Sequence, residues 1–225
     1  MCKNFASHKF AAPTRLCAID DQPYPHQYIK KGERDMFQSF LTNYQQELIP
    51  HIEAISPADF EACIGLLLDA YKNDRQVFVV GNGGSAAAAN HFVCDFGKNA
   101  VKHPKRRFRM ISLSDNVEKI TALGNDISFE EVFRQQLINL LNEGDLVILI
   151  SASGNSPNLV KACEYAREKS AKVMTLSGFG GGKIRSFADA AIPIQLTSYE
   201  QIEDIHMILL HMFVCFMKEH QDLLA

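Results

Sequence analysis

Charge of one sign is what this 225-residue chain most plainly lacks: the net charge is −3 at pH 7 and the pI is about 6.2. No global field therefore draws it to nucleic acid or to an anionic membrane. A local basic run, Lys102 to Arg109, reads as a solvated loop leading into a strand, or else as a phosphate-binding patch. Cys-x-x-Cys pairs are absent too, since the cysteines stand apart at 2, 17, 63, 94, 163 and 215. Several fall in helix-like stretches beside apolar residues, the pattern of buried, reduced thiols in a cytosolic protein. No apolar segment follows Lys3, so no secretory signal is expected. The longest apolar stretch, Met207 to Met217, is about half a membrane span and is interrupted by His211. Repeats and low-complexity tracts are missing as well. What remains is a soluble cytoplasmic protein whose 47% hydrophobic residues can bury a substantial core.

The hydrophobic pattern supplies the organisation. Residues 1–33, with Pro13, Pro23 and Pro25, read as an irregular N-terminal extension. Phe37, Phe40, Leu41, Tyr44, Leu48 and Ile49 recur at helical spacing. Ser56-Pro57-Ala58-Asp59 is an N-cap followed by a first-turn proline, opening a second helix to about Asn73. From Gln76 onward strands and helices alternate. Strands are expected at Val77–Val80, Met110–Leu113, Leu146–Ile150, Lys172–Leu176 and Ala191–Ile194. Helices are expected at Ala86–Lys98, Asn116–Leu123, Phe129–Asn142, Asn158–Lys169 and Tyr199–His220, with a glycine-rich turn at Gly178–Lys183. This alternation predicts an α/β fold, a doubly wound parallel sheet of five strands with helices on both faces. Ligands are then expected at the carboxyl ends of the strands.

Two loops carry the first chemical signal. Gly81-Asn82-Gly83-Gly84-Ser85 and Ser151-Ala152-Ser153-Gly154-Asn155-Ser156 each follow a strand and precede a helix. Glycine lets a backbone crowd against a ligand, helix-start N–H groups favour an anion, and serine hydroxyls add donors. Alone, each cluster reads equally as a tight turn; paired in one context, they suggest a site for a phosphorylated small molecule. A dinucleotide site is a poor match, because Ala86 stands where a third glycine belongs. Gly180-Gly181-Gly182-Lys183-Ile184 lacks the hydroxyl and spacing of a nucleotide P-loop.

These loops, with Gly124-Asn125-Asp126, Ser153-Gly154-Asn155-Ser156-Pro157-Asn158 and Ile202-x-x-Ile205-His206-x-x-x-x-His211, resemble the phosphoheptose isomerase branch of the sugar isomerase (SIS) domain family. The similarity runs from about residue 35 to the end, so residues 34–225 are expected to form the SIS domain. The resemblance implies a homotetramer with active sites at subunit interfaces and interconversion of sedoheptulose 7-phosphate with an aldoheptose 7-phosphate. It also implies that Ser85, Ser151, Ser153 and Ser156 hold the phosphate, with Asn82, Gly83, Asp126 and Glu203 also at the substrate. Asp126 reads equally as a turn cap. Asp95 stands where the family usually has glutamate, Glu203 where it has glutamine, Ala152 where it has threonine and Ala88 where it has aspartate.

Moving a carbonyl between neighbouring carbons needs a base for a carbon-bound proton and a group that shuttles protons between two oxygens. His91 and Asp95 stand i, i+4 on one helix face, and Glu203, His206 and His211 follow on the last helix. The i, i+4 pair also fits an ordinary surface helix. By resemblance Asp95 and His211 are catalytic, and His91, Asp95, Glu203 and His211 form a possible Zn²⁺ site. Their side chains are competent ligands. Glu203 and His211 lie about 12 Å apart along a straight helix and roughly 80° apart around it, so one ion bound by both needs converging side chains or a second subunit. His206 reads as a packed, hydrogen-bonded core residue. A non-catalytic SIS adaptor or sugar-phosphate sensor is the alternative to the isomerase.

Overall fold

The computed structural model describes residues 31–224, and residues 1–30 of the expected extension lie outside them. The chain divides into two compact units, Met1–Tyr44 and Gln45–Ala225. The described part of the first unit is helical from Lys31, so residues 31–33 are not irregular. Its Met36, Phe37, Phe40 and Leu41 are exposed. They belong to helix α1 (Lys31–Glu53), which continues into the second unit.

In the second unit, α2 (Pro57–Lys72) starts as its sequence requires: the Ser56 side chain accepts a hydrogen bond from the Asp59 N–H, and Pro57 occupies the first turn. Five strands follow, β1 (Gln76–Gly81), β2 (Arg109–Ser112), β3 (Leu146–Ser151), β4 (Lys172–Ser177) and β5 (Ala190–Pro193). They pair in parallel in the order β2-β1-β3-β4-β5. The connecting helices are α3 (Gly84–Asn99), α4 (Val117–Asp126), α5 (Val132–Leu140), α6 (Pro157–Glu168) and α7 (Tyr199–Glu219). The expected α/β sheet is therefore found. One helix differs: Phe129–Asn142 begins as a 3₁₀ turn over Phe129–Glu131, where the Glu131 N–H donates to the Ser128 carbonyl three residues back.

Strand alternation sorts the core into two layers. Val77, Val79, Leu146, Ile148, Ile150, Met174 and Leu176 pack with residues of α2, α3 and α7. Phe78, Val80, Val147, Leu149 and Val173 pack with residues of α5 and α6. Every residue of β3 is buried because both of its faces are covered, which explains its unbroken apolar run. Aromatic rings knit the first layer, with Phe213 of α7 at 5.0 Å from Phe60 and 6.4 Å from Phe92. Cys63 and Cys163 are buried as expected, but Cys94 and Cys215 are exposed.

His206 is fully buried on α7, yet neither ring nitrogen has a hydrogen-bond partner among the described residues. The expected packing is present and the expected hydrogen bond is not. Burial pushes its pKa down to about 4 from the ordinary 6.5, so the folded protein holds a neutral imidazole through the range in which the unfolded chain takes up a proton. This contribution is intact above pH 6.5 and is lost as pH falls from there toward 4. Urea unfolding should therefore find the wild type losing about 2 kcal/mol more than His206→Leu between about pH 7 and pH 5. Parallel losses in the two proteins would contradict this account.

Candidate active site

The strand order turns back at β1: β2 lies on one side of it and β3 on the other. The chain leaving β1 enters α3 on one face of the sheet, and the chain leaving β3 enters α6 on the other. A crevice opens between them at the carboxyl ends of the strands. The two serine loops meet there. The Asn82 and Asn158 side chains exchange hydrogen bonds in both directions, at 2.9 and 3.0 Å, and clasp the first loop to α6.

Asn82, Ser85, Ser151, Ser153 and Ser156 line one cavity of about 100 Å³, together with Tyr199 and Glu203. Gly83 is the N-cap of α3. Both helices begin bare: Gly83 and Ser156 make no side-chain cap, and neither first turn carries an acidic residue. By contrast, side chains of Ser56, Asn116 and Ser198 accept first-turn N–H bonds at α2, α4 and α7. The Ser151 hydroxyl accepts the Gly154 N–H at 3.0 Å and the Ser153 hydroxyl accepts the Asn155 N–H at 3.2 Å. These bonds shape the loop and leave each hydroxyl proton free to donate. The result is a small concavity of hydroxyls and helix ends without side-chain caps, suited to an anion except where the Glu203 carboxylate stands on its wall.

A second groove, of about 390 Å³ between α3 and α7, shares Ser85 and Glu203 with the first cavity and also borders His91 and His206. Near it three predicted residues converge. The Nε2 atoms of His91 and His211 lie 2.9 Å apart, and Asp95 Oδ2 lies 3.2 Å from the first and 3.7 Å from the second. The His91 and His211 side chains are 46% and 50% exposed, so this group sits on an open surface of the single chain. The i, i+4 pair on α3 is thus joined by a histidine 120 residues away. It is more than a surface helix pair.

Glu203 is not in this group, which among the described residues comprises His91, Asp95 and His211. Its carboxylate lies over Gly84, where any β-carbon would collide with it. Two turns of α7 separate it from His211, and the positive end of α3 favours it where it stands. Asp126 ends α4, accepts a hydrogen bond from Asn125 Nδ2 at 2.8 Å, and lines neither cavity.

The SIS domain family matches residues 42–178. The phosphoheptose isomerase of Citrifermentans bemidjiense is 37% identical over 181 residues, which is 80% of this chain and 89% of that protein. The chain belongs to the SIS domain family, among the phosphoheptose isomerases. The phosphoheptose isomerase of Pelobacter propionicus is 40% identical over 153 residues, 68% of this chain and 80% of its own length. The solved structure of phosphoheptose isomerase GmhA from Neisseria gonorrhoeae superposes with a TM-score of 0.74 at 28% identity, covering 81% of this chain and 99% of that one.

In this SIS domain two site-forming features escaped the sequence. Tyr199 reads there only as the first residue of a helix, and the Asn82–Asn158 clasp joins residues 76 positions apart. Asn158 is buried, so removing its amide strands that of Asn82. Asn158→Ala is expected to cost about 1–3 kcal/mol in urea unfolding, and Asn82→Ala/Asn158→Ala should cost less than the two single losses added together. Strict additivity would mean the two side chains do not act as a clasp.

Proposed function

We propose that this chain is an aldose–ketose isomerase that interconverts sedoheptulose 7-phosphate and D-glycero-D-manno-heptose 7-phosphate in the cytoplasm. The observation that carries the reading is a pair of adjoining cavities that share Ser85 and Glu203: one is suited to an anion, and the other is bordered by His91 of the histidine–carboxylate group. Ser85, Ser151, Ser153 and Ser156 hold the phosphate with the bare ends of α3 and α6, and Asn82 and Gly83 shape that pocket. From Ser85 to His91 is about 9 Å along the helix axis, the scale of an extended seven-carbon chain. Asp95 takes the proton from one carbon and returns it to its neighbour, while His211 moves a proton between the two oxygens of the enediol. Asp126 and Glu203 remain candidate contacts to sugar hydroxyls; Glu203, at the junction of the cavities, has the stronger support.

The residues present also fit a divalent cation such as Zn²⁺. Two imidazole nitrogens and a carboxylate oxygen converge within 4.8 Å of one another, the donor types and spacing that a tetrahedral ion takes. His91, Asp95 and His211 would hold it. Bound there, a metal supplies Lewis-acid stabilisation of the charge that develops on the sugar oxygens. Glu203 fits that set only with a rearranged side chain.

A homotetramer with the cleft at subunit contacts accounts for two further observations. The histidine–carboxylate group is half exposed, whereas enediol chemistry profits from excluded water. Apolar surface is also left open at Met36, Phe37, Phe40 and Leu41, and in a groove between Ile52, Phe60, Met212 and Phe216. Light scattering should report four times 25.2 kDa; a monomer at micromolar concentration would remove this part of the reading.

The decisive experiment follows turnover of sedoheptulose 7-phosphate with and without added Zn²⁺, alongside calorimetric binding. The wild type should produce the aldose. His211→Ala should lose at least about a hundredfold in kcat while still binding the sugar phosphate. Ser153→Ala and Ser156→Ala should each weaken binding about tenfold. Retained binding without turnover in the wild type would replace the isomerase by a sugar-phosphate-binding adaptor.

A further inference from the structure

Phe179 and Tyr199 are large aromatic residues left 41% and 53% exposed, and Tyr199 lines the cavity of the serines. Their arrangement begins with Gly178, which follows β4 and donates its N–H to the Ser151 carbonyl at 3.3 Å. A side chain at Gly178 would meet the Ala152 carbonyl oxygen and Ile202, so glycine alone lets the chain leave β4 between the second loop and α7. Phe179 comes next and adopts a left-handed φ of +48°, an unfavourable conformation for a residue with a β-carbon. Backbone bonds hold it there: the Phe179 N–H donates to the Leu196 carbonyl at 3.0 Å and the Gly180 N–H to the Ile194 carbonyl at 3.1 Å. The strained residue sets its ring against Tyr199, with centroids 5.4 Å apart and planes inclined at 59°. Tyr199, the first residue of α7, borders the same cavity as Ser85, Ser151, Ser153 and Ser156.

A strained backbone supporting an exposed ring pair has no explanation in core packing. We propose that Tyr199 is a specificity-determining residue, its ring covering the carbon chain of the phosphorylated sugar next to the ester, with Phe179 as the positioning residue that holds it. This rests on the isomerase reading of the cleft. The serine loops grip the anion whatever it is attached to, because hydroxyls and helix ends recognise phosphate oxygens and nothing beyond them. Discrimination between a sugar phosphate and free phosphate needs contacts beyond the ester: polar ones to the hydroxyls and, next to the ester, a surface that meets C–H groups. A rigid aromatic face on the rim is that surface, and it is ordered at low entropic cost because few torsions are fixed.

Calorimetry with sedoheptulose 7-phosphate and, separately, with inorganic phosphate tests the assignment, together with steady-state turnover. Tyr199→Ala should weaken sugar-phosphate binding by roughly three- to tenfold and raise KM to match, with kcat held and inorganic phosphate affinity unchanged. Tyr199→Phe, which keeps the ring, should retain most of the affinity. Phe179→Ala should raise KM in the same direction without changing kcat, and Phe179→Tyr should restore it. Unchanged sugar-phosphate affinity in Tyr199→Ala overturns the inference while leaving the isomerase reading intact. An equal loss for both ligands also overturns it, by making Tyr199 part of the anion site. A wild type that binds neither ligand removes the inference and the isomerase reading together.

Discussion

Two helices open onto one crevice with their first turns uncapped, and much of the second unit serves to keep them so. A helix N-terminus without a side-chain cap is a standing electrostatic cost, because its N–H groups carry roughly half a positive charge. At α2, α4 and α7 the chain reduces that cost with Ser56, Asn116 and Ser198, while α5 is led in by a 3₁₀ turn instead. At α3 and α6 no N-cap side chain does so, although Ser156 occupies the capping position and has the hydroxyl to do it. The sheet then brings both bare ends together, because the reversal of strand order at β1 sends the two helices to opposite faces. Even the glycine-rich turn after β4 serves this arrangement. Lys183 donates its N–H to Asn155 Oδ1 and Ile184 to the Gly154 carbonyl, each at 3.0 Å, so the turn buttresses the second serine loop.

The histidine–carboxylate end of the site follows different rules. Its position depends on α3 and α7 lying side by side in step: Gly84 meets Glu203, His91 meets His211, and the Lys102 N–H just beyond α3 meets Gln221 just beyond α7. With this pairing, residues 203 and 211 face different points on α3, since helical rise carries them about 12 Å apart. One therefore belongs to the anion end and the other to the histidine–carboxylate end. The two ends share Ser85 and Glu203, which lie at the junction of the cavities.

How much of this could be read from the chain depends on whether the signal is local. Strand and helix periods, the Ser56-Pro57 start and the loop–helix context of the serines are local, and the sheet agrees with all of them. The apolar run of β3 announces burial on both faces, since no polar residue interrupts Leu146–Ile150. Tertiary facts were not legible. Nothing around Asn82 points to Asn158, nothing around Phe179 points to Tyr199, and the missing partner of His206 depends on what α3 and α7 present to it. The break at Glu131 was hidden because the apolar periodicity of Phe129–Asn142 continues through it. Cys94 and Cys215 illustrate the converse: apolar neighbours in sequence did not bury them, because those neighbours point to other faces of α3 and α7.

Glu203 exposes the remaining tension in the site. In the free protein its carboxylate stands over Gly84 at the start of α3, the same electrostatic feature that the proposed phosphate uses. A carboxylate there is favourable by several tenths of a kcal/mol or more, so an incoming anion meets a site already partly neutralised. Two like charges cannot share that helix end without loss. On the proposed reading the side chain turns away as the anion enters, toward the groove whose wall it also forms. That turn would convert displacement by the phosphate into a contact with the rest of the substrate. A glutamate at this position would thereby link the anion cavity to the groove beside it. An uncharged side chain of the same length, which has no preference for the helix end, would not.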